Sequence, residues 1–354
     1  MTTGERFFRS GMSGHGGSRA AYLLLVLALA GCDRLVDRQI QKNLDRVDAS
    51  VLTSGDMTVV LCGTGSPLPD HERAGGCTAV IAGGEFVLVD IGPGSWETVD
   101  LANLPTSAVS TILLTHLHSD HIGDLGEATT QSWIAGRTKP LDVWGPAGTA
   151  QVVEGFAEAY AHDVDYRVTH HGDAFMPRAA ATAVAHEIAL PADPVGSVVV
   201  FERNGLKVTA FPVDHRPVEP ALGYRFDFRG RSVVVSGDTK KSASVAKNAA
   251  GADILVHEAL LPTLILRAAD LAERGGRTRL AKLARDLPGY HTSPIEAAEV
   301  ARDAGVKHLV FTHLVPSTPN FLARRMFTSG VSSIFPGKVT LGEDKMRFTL
   351  APAS

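Results

Sequence analysis

A chain of 354 residues with 44% hydrophobic side chains can form one large domain or two modest ones with an ample core, which excludes a disordered chain. A formal net charge of -4 and an aromatic content of 6% give no general electrostatic reason to expect nucleic acid as a partner. The three cysteines, Cys32, Cys62 and Cys77, fit neither a disulfide framework nor a zinc ribbon.

Residues 1–31 read as an export signal. Arg6, Arg9 and Arg19 precede an apolar run from Ala20 to Ala30 that is too short to span a membrane comfortably. The run ends in Leu29-Ala30-Gly31-Cys32, which is similar to the lipobox of bacterial lipoproteins. That likeness implies a lipid anchor on an acylated Cys32 at the periplasmic side, with Asp33 leaving the choice of inner or outer membrane open. Residues 32–56 form a tether in which Leu35, Ile40, Leu44 and Val47 recur at near-helical spacing, as in a helix partly packed on the domain or a solvated linker.

The folded domain is expected over residues 57–354. Met57 to Cys62 reads as a strand, and Gly63-Thr64-Gly65-Ser66-Pro67 as a tight turn without the lysine or the further glycine that a phosphate cradle needs. Cys77 to Ala82 and Glu85 to Asp90 are strands joined by Gly83-Gly84. Cys62 and Cys77 then lie on neighbouring strands, where a disulfide and two buried free thiols are both open and the free thiols are the simpler expectation.

Val109 to Leu114 is a short buried strand that delivers Thr115-His116-Leu117-His118-Ser119-Asp120-His121 at its carboxyl end, where α/β sheets place ligands. Three imidazoles and a carboxylate in six positions are costly to hold together without a metal. His116 and His118 alternate along extended chain, with Asp120 and His121 one step later, a pattern that can feed two neighbouring ions.

Gly123 to Arg137 is a predicted helix with Trp133 near a pocket mouth, Leu141 to Pro146 a strand, and Gln151 to His162 a helix. His170-His171 is read as a pair of surface residues or of supports behind the ligands, not as ligands, since adjacent histidines in a strand point to opposite faces. In the second half short strands repeatedly hand a polar residue to one rim. Leu206 to Phe211 leads to Asp214-His215, Ser232 to Val235 to Asp238, Ile254 to Val256 to His257-Glu258, and Leu309 to Thr312 to His313. His291 stands just before a predicted helix through Glu296 and Val300.

His116-x-His118-x-Asp120-His121, with His215, Asp238 and His313 downstream, resembles the metallo-β-lactamase fold, and more closely its tRNase Z-like and arylsulfatase-like branch. Gly63-Thr64-Gly65-Ser66-Pro67, Val89-Asp90-Ile91-Gly92, Gly223-Tyr224-Arg225, Ser236-Gly237-Asp238-Thr239, His257-Glu258-Ala259 and Tyr290-His291-Thr292-Ser293 are similar to that branch's blocks, in its order. The resemblance implies an α/β fold, an αββα sandwich with a two-zinc centre; Mn2+ or Fe is compatible with the same donors. It implies that His116, His118 and His215 hold one ion, that Asp120, His121 and His313 hold the other, and that Asp238 bridges them. Such a pair of ions, roughly 3.5 to 4 Å apart, supplies a bridging hydroxide and neutralises charge on the attacked centre. Asp120, Glu258 and His291 complete the catalytic set, His291 as the acid for the leaving oxygen and Glu258 orienting its ring.

Two departures bear on the substrate. Only 22 residues separate His215 from Asp238, where many bacterial tRNase Z enzymes carry a tRNA-gripping arm, and the family's His-Glu-Ala-Thr and His-Ser-Thr blocks end in Leu260 and read His291-Thr292-Ser293. Extra length lies instead between Glu258 and His291, a leucine- and alanine-rich helical stretch punctuated by basic residues that reads as an anion-recognising lid or a solvated amphipathic helix. The expectation is an exported hydrolase of a small phosphodiester or sulfate ester, its partners a small anionic or ester substrate and the membrane, with no nucleic acid and with a dimer compatible. The alternatives are a lactam or lactone hydrolase, a tRNase Z-like nuclease, and a non-catalytic zinc-binding lipoprotein.

Overall fold

The computed structural model describes residues 33–318 and 320–353, in two units, Met1–Val47 and Asp48–Ser354. In the first, residues 33–44 are helical (α1), and Leu35, Val36, Ile40 and Leu44 on that helix are exposed. The export signal and Cys32 lie outside the described residues. Among the described residues, no helix is long and apolar enough to cross a membrane.

The second unit opens with a 3-10 turn, Ala49–Leu52, that buries Val51 ahead of the first strand. Two seven-stranded sheets follow. The first contains β1 (Met57–Gly63), β2 (Cys77–Ala82), β3 (Glu85–Val89), β4 (Val109–Leu113), β5 (Leu141–Gly145) and β6 (Ala183–Glu187) in spatial order, with the last strand, β14 (Arg347–Leu350), outside β1. The second contains β7 (Val198–Arg203), β8 (Leu206–His215), β9 (Val218–Phe228), β10 (Arg231–Val235), β11 (Ile254–Leu260), β12 (His308–Val315) and β13 (Lys338–Leu341), also neighbours in chain order. The tight-turn hairpins pair antiparallel, whereas β3 to β6 and β10 to β13 run parallel.

The central strands β1 to β3 and β11 are buried along both faces because both faces are covered. Met57, Val59 and Leu61 of β1 point into a core between the sheets, against Leu206, Val208, Tyr224 and Phe226. Val60 and Cys62 point the other way, toward α2 (Ser95–Leu101), α4 (Leu125–Ile134) and α5 (Thr149–His171). On the far side, α6 (Ala243–Asn248) and α9 (Pro294–Ala304) cover the second sheet with Val245, Ala297, Ala298 and Val300. Helix, sheet, sheet, helix is the expected αββα sandwich. The helix expected through Glu296 and Val300 starts at Pro294, where Ser293 and Glu296 form a complete capping box. Tyr224 ties the sheets together, its buried hydroxyl donating to Leu114 O at 2.7 Å.

Several local expectations are corrected. Cys62 and Cys77 are joined in a disulfide; the antiparallel pairing of β1 with β2 brings their Cα atoms to 4.9 Å, within reach of a bridge. His170 and His171 are exposed, as a surface reading expects, but they lie at the carboxyl end of α5 and not in a strand. Trp133 is buried against Met176, Ala180 and Ala181, its indole donating to Pro177 O, so it lines no pocket mouth.

Candidate metal centre

His116, His118, Asp120, His121, His215, Asp238, Glu258, His291 and His313 come together at one rim, whereas Asp214 turns to Arg216 and His257 joins none of the donor groups. β4 ends at Leu113, and the chain turns through His116 and His118 into a single helical turn, α3 (Ser119–Ile122), which carries Asp120 and His121. The turn is clamped by close backbone contact. A Cβ on Gly92 would lie 2.0 Å from Asp120 O, so only glycine lets these loops meet. His215 closes β8, Asp238 follows β10, and Glu258 lies in β11. His313 is an extra residue in β12: Glu258 pairs with Thr312 but Ala259 with Leu314, and His313 has φ of 47°. This bulge turns an imidazole out of the strand and into the site.

Among the described residues the possible donors fall into overlapping groups of three, two of them the sets that the resemblance implies for the two ions. His116, His118 and His215 offer nitrogens within 4.8 Å of one another, as do the donor atoms of Asp120, His121 and His313. Asp238 Oδ2 lies between them, 3.4 Å from His121 Nε2, 3.4 Å from His313 Nε2 and 3.9 Å from His215 Nε2. All seven residues except His118 are buried.

Two observations say that these groups suit a cation. His121 Nε2 and His215 Nε2 are buried with no hydrogen-bond partner among the described residues, although each is aimed at a carboxylate. Unpaired buried imidazole nitrogens are costly unless something takes their lone pairs. The charges are also unbalanced by themselves. Burial pushes the His116 imidazole well below its ordinary pKa, with the neighbouring imidazoles adding to the effect. For His121 burial works downward too, but the carboxylates of Asp238 and Asp90 overcome it and hold the ring well above its ordinary range. Asp238 is held well below the usual carboxylate range by His313 and His121 in spite of its burial. A bound cation would take the place of those protons.

The residues behind the donors fix their rings. Asp90 accepts from Thr115 N at 2.7 Å and from Thr115 Oγ1 at 2.8 Å, and its Oδ2 meets His121 Nδ1 at 2.8 Å. His215 Nδ1 donates to Tyr290 O at 3.0 Å. Each contact leaves the other ring nitrogen free to face the site. Asp90 and Thr115 were quoted in sequence only as members of motif blocks, with no role assigned to either. Asp90 ends a strand with a polar residue as the others do, but nothing in its neighbours reveals which imidazole it serves.

His291 stands at the edge of both groups, its ring centroid 5.3 Å from that of His215 and 5.6 Å from that of His313. Its Nδ1 bonds Glu258 Oε1 at 3.0 Å, and the same oxygen accepts from Thr239 N and Thr292 N. Burial alone would lower the His291 pKa; the Glu258 charge outweighs it and lifts the value to about 9.

This sandwich and rim define a metal-dependent hydrolase of the metallo-β-lactamase superfamily, and the Beta-lactamase superfamily domain matches residues 86–314. Ribonuclease Z of Mycobacterium avium (strain 104) is 39% identical over 292 residues, 82% of this chain and 96% of that one. Ribonuclease Z of Mycobacterium bovis (strain BCG / Pasteur 1173P2) is 38% identical over 300 residues, 84% of this chain and 99% of the other. The chain belongs to the ribonuclease Z family of that superfamily. Among solved structures, human tRNase Z, short form, has the same fold at a TM-score of 0.58 and 23% identity, covering 83% of this chain and 99% of that one. The metallo-beta-lactamase fold protein YhfI from Bacillus subtilis does so at 0.59 and 18%, with the same coverage.

These relatives overturn two expectations, the small phosphodiester or sulfate ester as substrate and the absence of a nucleic-acid partner. The short spacing from His215 to Asp238 was a poor guide. It is filled by β9 and β10, two strands of the sheet, and the M. avium and M. bovis proteins still align with this chain over nearly their whole lengths.

Proposed function

We propose that the protein is a tRNase Z-like endonuclease that hydrolyses a phosphodiester of an RNA precursor. In this reading His116, His118 and His215 hold one zinc ion, Asp120, His121 and His313 the second, and Asp238 lies between them. Bound there, the two ions would acidify water and neutralise charge on the phosphate. The observation that carries the reading is the position of Asp238 Oδ2, within 3.9 Å of imidazole nitrogens from both groups, in a chain 38% to 39% identical to proteins named Ribonuclease Z.

The chain's own residues supply orientation and a proton. Asp90 and Tyr290 O hold the rings of His121 and His215, so their Nε2 atoms are the ones turned to the site, the His121 nitrogen giving up its proton when a cation binds. His291 is kept protonated near neutral pH by Glu258 and presents its Nε2 proton toward the leaving oxygen. Glu258 is itself fixed by two backbone N–H groups, so the imidazole cannot swing away.

Zinc-loaded protein should cleave a transcript of a tRNA with a 3′ extension at one position, cease in chelator and recover on zinc addition. Two bound metal ions with no RNA cleavage would remove the nuclease assignment.

A further inference from the structure

Between β11 and His291 the chain leaves the sheet as a helical hairpin, α7 (Pro262–Arg274) and α8 (Thr278–Asp286). Both of its feet stand at the rim of the metal centre. Leu260 N donates to Thr292 O and Leu261 N to Val315 O, two residues beyond His313, while Leu260, Ile265 and Val315 form an apolar root with Ala284 and Leu287. Tyr290, at the returning foot, packs its ring against His215 and His291. The helices approach through buried Ala269, Ala272 and Ala281, turn on Gly275-Gly276, and are clamped by Arg285, which bonds both Asp270 and Glu273. At 1.5 Å per residue, the 13 residues of α7 reach about 20 Å from that root.

The charge on this arm is one-sided. It carries six basic and three acidic side chains in a chain whose net charge is -4. The acidic groups are all engaged, Asp270 and Glu273 by Arg285 and Asp286 by Lys282. Arg267, Arg274, Arg277 and Arg279 are exposed and their guanidinium groups have no hydrogen bond or ion pair among the described residues, whereas those of Arg73, Arg137, Arg203, Arg225 and Arg231 are held by carboxylates or carbonyls. Four exposed guanidinium groups without partners on a stiff arm are a place for a polyanion, each able to fork onto phosphate oxygens.

We propose that the α7–α8 hairpin grips the sugar-phosphate backbone of the RNA whose phosphodiester lies at the metal centre. The proposal rests on the nuclease reading given above and names the surface that holds that substrate. Leu266, Leu271, Leu280 and Leu283 are exposed on the same hairpin, and a basic helix with exposed leucines also suits an anionic lipid surface. RNA is favoured by the placement of the feet: a bilayer docked on this arm would lie across the rim through which any substrate must enter.

The test compares zinc-loaded full-length protein with a variant carrying Arg267→Ala, Arg274→Ala, Arg277→Ala and Arg279→Ala, and with the matching four Arg→Lys changes. Binding of a labelled tRNA with a 3′ extension is followed by anisotropy across a salt series. Metal content and circular dichroism establish that each variant is folded. The alanine variant should bind more than about tenfold more weakly at 0.1 M salt, and the slope of log K against log salt should fall by about 3, each lost phosphate contact being worth about 0.7 to 0.9. The lysine variant should recover most of the affinity, because phosphate accepts a point charge as well as a fork. An alanine variant with wild-type affinity and slope overturns the hairpin and leaves the nuclease reading intact. Lysine changes as damaging as alanine, or loss confined to binding of phosphatidylglycerol vesicles, overturn it as well. Wild-type protein that neither binds nor cleaves RNA overturns both readings, and that failure shows before any variant is made.

Discussion

Asp90→Asn isolates how the site prepares an imidazole. The carboxylate has three donors on two oxygens, Thr115 N on Oδ1, and Thr115 Oγ1 and His121 Nδ1 on Oδ2. Asparagine is nearly isosteric and tolerates the left-handed backbone at this position, where φ is 59°, so the fold should survive. It has only one acceptor oxygen, however. If that oxygen keeps Thr115 N, the amide NH2 faces His121 Nδ1, which must then accept. The His121 proton moves to Nε2, and the lone pair that faces the site is lost. If the amide flips, the buried Thr115 N–H loses its acceptor at a cost of about 1 to 3 kcal/mol. Removing a group that orients a metal-binding histidine lowers metal affinity about 10- to 100-fold, or about 1.4 to 2.7 kcal/mol. Zinc affinity by competition with a chromophoric chelator and stability by urea unfolding of the apoprotein together capture both branches. One of them must fall by these amounts. Wild-type values in both would refute the role given to Asp90.

Four further outcomes follow from the same geometry. Asp238→Ala should leave fewer than two metal ions per chain by elemental analysis and abolish RNA cleavage; full loading with full activity would remove Asp238 from between the two groups. His291→Ala should keep both metals but slow cleavage of RNA about 10²- to 10⁴-fold, and an RNA whose leaving oxygen is replaced by sulfur, which needs no proton, should be slowed far less. Because His121 is held protonated above its ordinary range in the metal-free site, zinc uptake must release that proton; apparent affinity should rise with pH by about one log unit per unit until the folded-state pKa is passed, read by titration in weakly buffered solution. Replacing both Cys62 and Cys77 by alanine opens a loop of 15-residue separation and should cost about 3 kcal/mol in urea unfolding, as should reduction of the wild-type disulfide.

The candidate site was legible in sequence where chemistry is concentrated and illegible where it is dispersed. Three imidazoles and a carboxylate between His116 and His121 have few uses besides a cation, and the strand before them fixed their position at a sheet end. Asp90 stands alone in its stretch, and its meaning lies in a contact with His121, 31 residues away, that only the folded pairing of β3 with β4 creates. The disulfide depended on the antiparallel register of β1 and β2, which the residue pattern does not specify. His170-His171 was assigned to the wrong element for the opposite reason, since two adjacent identical residues carry no period, and the helix that begins at Thr149 simply continues through them.

The substrate was misjudged because a whole-chain sum stood in for a local field. A net charge of -4 over 354 residues averages away a hairpin of six basic and three acidic side chains that is rooted where the metal donors converge. The screening length at physiological salt is about 8 Å, so a phosphate in contact with Arg267 or Arg279 responds to the arm and very little to carboxylates across the domain. Nor does the lack of an arm between His215 and Asp238 argue against RNA, because the strands there have no length to spare for one. A polyanion needs uncompensated cations near the site, and the hairpin proposed to hold one is built from the chain's extra length between Glu258 and His291, at a different strand end.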